Sequence, residues 1–173
     1  MQIKNLFLLL LVATLLTSCS SPSHETKFSR EGISFTCPEG WKITDAEDIN
    51  GQGYNLSCEK DGWDASGLVT IVWVNGTLEL DEFLNIHKKE FENNTILKYS
   101  NMHFENAVDT MFNSIDARAM PYTLSLAGVK HQGIIFCFYG NAKTIGVVKQ
   151  GTLEDKTANK AGFTAIENSF TCN

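Results

Sequence analysis

At 173 residues, with 43% hydrophobic and 20% charged residues, the chain has the size and balance of one globular domain preceded by a targeting segment. Residues 1–18 hold one lysine and no acid, so residues 19–173 carry 13 basic and 20 acidic side chains, a formal charge of −7. That charge repels phosphate backbones, and the densest basic spot, Lys88-Lys89, is flanked by Glu82, Glu90 and Glu92, so nucleic acid is excluded as an expected partner.

The chain opens with a basic start at Lys4 and an apolar run from Leu6 to Leu16, broken by Thr14, which has the length of a signal-peptide core. A bilayer span takes about 20 apolar residues, more than are present. Leu16-Thr17-Ser18-Cys19 then resembles a bacterial lipobox, an aliphatic residue and two small ones before the cysteine. The expectation is a signal peptide over 1–18, cleavage before Cys19, and lipid on that cysteine. Several acyl chains, at about 0.8 kcal/mol per buried methylene, hold a protein on a membrane firmly. Residues 19–27 read as a lipidated polar tether of at most about 30 Å. Serine at Ser20 and Ser21 matches the outer-membrane sorting habit, giving a location on the outer membrane facing the periplasm.

Residues 28–173 read as one domain. Ile33, Phe35 and Cys37 alternate with polar residues, Pro38 and Gly40 impose a turn, and Trp41 to Thr44 returns as the next strand. Tyr54 to Glu59 and Leu68 to Val74 come next, the latter rich in β-branched and aromatic residues and therefore placed centrally. Between them, Asp61 to Gly67 is a loop containing Trp63, which either stands exposed as an interaction hot spot or folds back onto the sheet. Asp81 is the expected N-cap of an amphipathic helix to Glu92, its apolar stripe made of Phe83, Leu84, His87 and Phe91.

Further strands are expected over Ile96 to Phe104, Asn113 to Ser125, Gly133 to Tyr139 and Thr144 to Gln150, with turns at Ala127-Gly128 and Gly140-Asn141. Pro121, which lacks an N–H, places its strand at an edge or a bulge. Thr152 with Asp155 resembles a capping arrangement for a closing helix with Ala158, Gly162, Ala165, Ile166 and Phe170 on one face. The order ββββ, helix, ββββ, helix predicts an α+β fold, an antiparallel meander packed between two helices as an α/β/α sandwich.

Four cysteines besides Cys19 remain: Cys37, Cys58, Cys137 and Cys172. A periplasmic setting permits disulfides, four cysteines allow three pairings, and one or two structural bridges are expected. No CxxC or Cys/His zinc spacing occurs. Asp48 to Gly53 with Glu59 fits several EF-hand positions, but Gln52 at position five and Asn55 at position eight fit poorly, and a polar hairpin loop is the better account. His24, His87, His103 and His131 are scattered, and no nucleophile elbow is present, so neither catalysis nor a cofactor is expected. Asp109-Thr110-Met111 matches a short O-glycosylation sequence at the level of chance.

The run Ile33-Ser34-Phe35-Thr36-Cys37-Pro38-Glu39-Gly40-Trp41-Lys42, the late paired strands with Gly128 and Gly140, and the closing Phe163 to Phe170 resemble the PsbP-like group, which includes PsbP, Mog-type and DcrB-like domains. The resemblance covers residues 28–173 and rests on structural motifs. It implies a sheet sandwiched by helices, in proteins that mostly bind or assist assembly of other proteins. The leading expectation is therefore a membrane-anchored accessory lipoprotein, not an enzyme, with an envelope protein as partner. The alternative is a carrier of a small ligand or lipid in a pocket between helix and sheet.

Overall fold

The computed structural model describes residues 24–173. The signal segment and Cys19, with most of the expected tether, lie outside the described residues. The first strand, β1 (Thr26–Arg30), takes in the last two residues assigned to that tether. It forms a two-residue hairpin with β2 (Ile33–Cys37), whose turn places Glu31 and Gly32 at φ 52° and 80°, the left-handed pair such a hairpin needs.

After a turn in which the Trp41 N–H donates to the Pro38 carbonyl, the chain runs through β3 (Trp41–Asp48), β4 (Gly53–Lys60) and β5 (Leu68–Asn75). Helix α1 (Leu80–Asn93) and a 3-10 turn (Leu97–Tyr99) precede five more strands: β6 (His103–Phe104), β7 (Val108–Phe112), β8 (Ile115–Leu126), β9 (Val129–Gly140) and β10 (Lys143–Thr152). Helix α2 (Lys156–Ser169) and the short β11 (Thr171–Cys172) end the chain.

The α+β class stands, and the single meander is corrected. Two meanders, β3-β4-β5 and β10-β9-β8-β6, are fused along an antiparallel β5–β10 pair into one large sheet, with β7 also on β8. A separate small sheet, β1-β2-β11, lies over it. Strand β2 therefore does not pair with β3 as the Pro38 turn suggested. Its alternating pattern buries Ile33, Phe35 and Cys37 against the large sheet from above, and a period of two reports only that one face is covered.

Three local expectations also shift. Ile96 to Phe104 is mostly not strand, because the Asn94 side chain accepts the N–H groups of Ile96 and Leu97 at 2.9 and 3.1 Å and winds the chain into the 3-10 turn. The run from Asn113 begins after a strand not foreseen, β7, with the turn made by Asn113 at φ 55°. Pro121 is not at an edge: its strand pairs on both sides. The Pro121 carbonyl accepts from the Glu105 N–H, so its ring nitrogen faces the break between β6 and β7, where no ladder donor is required.

Helix α1 starts differently from expectation, whereas the expected Thr152–Asp155 capping contact is present before α2. Asp81 lies in the first turn of α1 rather than at its cap, and its carboxylate accepts from the Arg118 Nε–H at 2.8 Å. Thr152 accepts the Asp155 N–H, and α2 begins at Lys156 with Asn159, not Ala158, on its buried face.

The two faces of the large sheet carry separate cores. One, under β2 and α2, includes Trp41, Leu56, Trp73, Phe112, Phe138 and Phe170. Phe112 stacks on Phe138 at 5.1 Å and meets Phe170 edge-on at 5.4 Å, contacts worth about 0.5–1.5 kcal/mol each beyond area burial. The other, under α1, joins Phe83 and Leu84 to Met120, Leu124, Ile135 and Val148. On the first face, Gly162 lets α2 settle on Trp41: a Cβ there would stand 2.3 Å from Trp41 Cε2.

Candidate functional site

The β4–β5 connection, residues 61–67, is short and held at its base by the backbone. The Lys60 N–H donates to the Gly67 carbonyl at 2.8 Å and the Asp61 N–H to the Gly40 carbonyl at 2.7 Å. Its second half is fixed from below by a polar cluster around Ser66. That hydroxyl donates to the Asp155 carboxylate at 2.6 Å and accepts from the Thr152 N–H at 3.0 Å. The hydrogen bonds from Ser66, then Thr152, with the nearby Lys60 charge, hold the Asp155 carboxyl below its ordinary pKa. Buried Asn159 adds a bond to the Ser66 oxygen and accepts from Lys60 Nζ.

On this anchored base, Trp63 is 104% exposed, which decides between the two sequence readings: the indole stands in solvent. Trp41 and Trp73 are 4% and 0% exposed and belong to the core. A large aromatic on a loop with an anchored base is the kind of group that dominates protein–protein interfaces.

Cys37 and Cys58 form a disulfide between β2 and β4, with Cα atoms 6.5 Å apart, and so bind the small sheet to the large one. Among the described residues Cys137 and Cys172 are unbridged. They lie on opposite faces, Cys137 in the core under α1 and Cys172 beside the other core, so the sheet itself separates them. A second bridge, left open by the sequence, is ruled out by that placement. Burial pushes the Cys137 thiol up to about 12 and also raises the Cys172 thiol, which disfavours the reactive thiolate in both.

Between α2 and strands β8, β9 and β10 runs a cleft of about 500 Å³. Its helical wall is the stripe Lys156, Asn159, Lys160, Phe163, Thr164 and Glu167, at steps of three and four residues. Its floor is set by strand register in two rows. Pro121, Ile134 and Lys149 stand side by side in one row, and Thr123, Gln132 and Gly151 in the next. Lys149 is spoken for by a tight ion pair with Glu167, with its ammonium 4.7 Å from the Phe136 ring centre. Lys156 and Lys160 are exposed and have no ion-pair partner among the described residues.

A smaller cavity of about 330 Å³ lies on the opposite face between α1 and β4, β5 and β10. His87 lines it, buried as its stripe position implied; its Nδ1 is 3.6 Å from the Glu90 carboxylate, and its Nε2, packed over Gly146, has no hydrogen-bond partner among the described residues. The EF-hand-like stretch is the β3–β4 hairpin, with Asn50 and Gly51 at φ 51° and 74° and the Asp48 carboxylate accepting the Gly51 N–H. Among the described residues no cluster of three or more His, Cys, Asp or Glu side chains is arranged to hold a metal ion. No described helix is long and apolar enough to cross a membrane.

Sequence reasoning singled out Trp63 and the cysteines and, in its alternative, a pocket between helix and sheet, but none of the residues that line the cleft. The pair Lys156 and Lys160, one turn apart on a predicted helix, was the available signal, but nothing local showed what faced them.

No protein-family model matches the sequence, and no curated protein matches it. Solved structures do. Cyanobacterial PsbP from Synechocystis aligns with 91% of this chain and 99% of its own, at 13% identity and a TM-score of 0.58. LpqN of Mycobacterium tuberculosis, described as involved in cell envelope biogenesis, aligns over 85% of this chain and 89% of its own, at 11% identity and 0.51. A Bacteroides thetaiotaomicron protein aligns over 85% of this chain, which spans about half (48%) of that longer one, at 12% identity and 0.55. At such identities the likeness is one of fold. The chain has a PsbP-like fold.

Proposed function

We propose that this PsbP-like chain is a membrane-anchored envelope lipoprotein of accessory, non-enzymatic type, which binds or helps assemble another envelope protein. The observation that carries the reading is the fully exposed Trp63 on a loop whose base is fixed by Ser66, Asp155 and Asn159. The fixed loop base lowers the ordering cost of binding through this side chain. The lipobox at Leu16 to Cys19 supports the anchor, and the fold shared with LpqN, described as an envelope-biogenesis protein, supports the compartment. The outer membrane, periplasmic face, is the location that Ser20 and Ser21 favour.

Crosslinking in native membranes tests the partner: wild type recovers one reproducible envelope protein and Trp63→Ala loses it. Recovery of abundant porins alone by both would remove the reading's support. The anchor is tested separately by Cys19→Ala, which abolishes cleavage before that position and lipid labelling; a variant still cleaved there and still sedimenting as a lipidated chain contradicts it.

A further inference from the structure

The cleft beside α2 is amphipathic along its length, and the strand register says which end is which. The row Pro121, Ile134 and Lys149 lies towards Phe163 and Glu167, where the lysine and the glutamate neutralise each other. Glu105 belongs to this end, since its N–H donates to the Pro121 carbonyl. Two residues along each strand, the row Thr123, Gln132 and Gly151 faces the start of the helix, and a Cβ on Gly151 would stand 2.7 Å from Asn159 Nδ2. Lys156 and Lys160, on either side of Asn159 in the helix, line the cleft, and the two acids that line it, Glu105 and Glu167, belong to the other end.

One end thus carries two unpaired lysines among neutral hydrogen-bonding side chains, its nearest carboxylate, Asp155, being engaged by Ser66 with the Lys60 charge nearby, and the other presents aliphatic and aromatic carbon. In a chain of formal charge −6 before processing, two adjacent unpaired lysines on a concave wall are a local exception. A volume of about 500 Å³ is that of a site for one small ligand, too little for a two-chain lipid.

We infer that this cleft binds a single-chain anionic amphiphile, a carboxylate or phosphate head against Lys156, Lys160, Thr123 and Gln132 and its apolar body on Ile134, Pro121 and Phe163. The head gains charge-assisted hydrogen bonds at a rim that stays wet, and the body removes the apolar floor from water. The site is separate from Trp63, and binding here does not require the partner proposed above.

The test uses the full chain reconstituted in phosphatidylcholine nanodiscs with a photoreactive dodecanoate, its sites of attachment mapped by mass spectrometry. Label is expected on segments 132–134 and 156–167. Dodecanoate and monododecyl phosphate compete about tenfold better than dodecyl maltoside, the difference expected for a charge-assisted head contact, and the stronger of the two assigns the head. Inorganic phosphate at the same concentration does not compete. Lys156→Gln/Lys160→Gln, at exposed positions, lowers labelling about tenfold on the same grounds. Thr164→Trp, which fills the cleft from its exposed rim, abolishes it, and Trp63→Ala leaves it unchanged. Label spread evenly over the chain, equal competition by the maltoside, or full labelling of a folded lysine double variant would overturn the inference.

Discussion

The buried indole N–H of Trp73 donates to the Glu31 carboxylate at 3.0 Å, linking the centre of the large sheet to the turn of the β1–β2 hairpin. Glu31 reaches it because the turn is left-handed, and Lys143 and Arg30 stand near the same carboxylate. The Trp73 bond has the largest effect and, with the Arg30 bond and the Lys143 and Arg30 charges, holds its pKa below the ordinary value despite burial, the next largest effect, which opposes them.

That relationship sets a first prediction. Glu31→Ala leaves a buried N–H without an acceptor and lowers stability by about 1–2 kcal/mol at pH 7. Glu31→Gln keeps an oxygen in place and loses less. Because the folded-state pKa is depressed, the wild-type contribution is present above the ordinary glutamate value and disappears as pH falls through the lowered one. Urea midpoints measured from pH 6 down to pH 2 should fall for wild type relative to Glu31→Gln; parallel curves would show that the carboxylate contributes nothing.

The Cys37–Cys58 bridge closes a separation of 21 residues. By the chain-entropy relation, Cys37→Ala/Cys58→Ala should cost about 3 kcal/mol in guanidinium unfolding. Iodoacetamide at pH 8 on the folded protein should label half-buried Cys172 first and leave buried Cys137, together with the two bridged cysteines, unmodified. Peptide mapping reads the order, and early labelling of Cys137 would contradict its placement under α1.

Trp63 should account for the acrylamide-quenchable, red-shifted part of the tryptophan emission, because Trp41 and Trp73 are shielded. Trp63→Phe removes that fraction while changing stability by less than about 0.5 kcal/mol, as for a surface residue without packing partners. A larger loss of stability would mean that the indole packs on the domain.

Gly162→Ala separates helix propensity from packing by sign. In an exposed helix the change gains up to about 1 kcal/mol. Here the added Cβ meets the Trp41 ring, so α2 must shift and the variant should lose about 1–3 kcal/mol, with an altered near-ultraviolet Trp41 signal. A stabilised variant would show that the helix seat is loose.

What the amino-acid order alone determined is what depends on neighbours along the chain. The apolar run before Cys19, the alternation of Ile33, Phe35 and Cys37, and the helical stripe of Phe83, Leu84 and His87 are local patterns, and the last two appear in the structure as buried faces. The hairpin turn at Ala127-Gly128 was legible for the same reason, through Gly128, whereas the next turn falls at Asn141-Ala142, one residue later than the expected Gly140-Asn141, because Gly140 pairs with Lys143 at the end of β9. Periodicity reports that a face is covered and is silent on what covers it. Tertiary structure therefore decided that β2 joins β1 and β11 rather than β3, that β5 meets β10 across about 70 residues of chain, and that Cys37 finds Cys58. It also decided whether Trp63 stands free and what lies opposite Lys156 and Lys160. Those outcomes rest on the register of distant strands and on which face each helix takes, and the cleft and the exposed indole exist only once both are set.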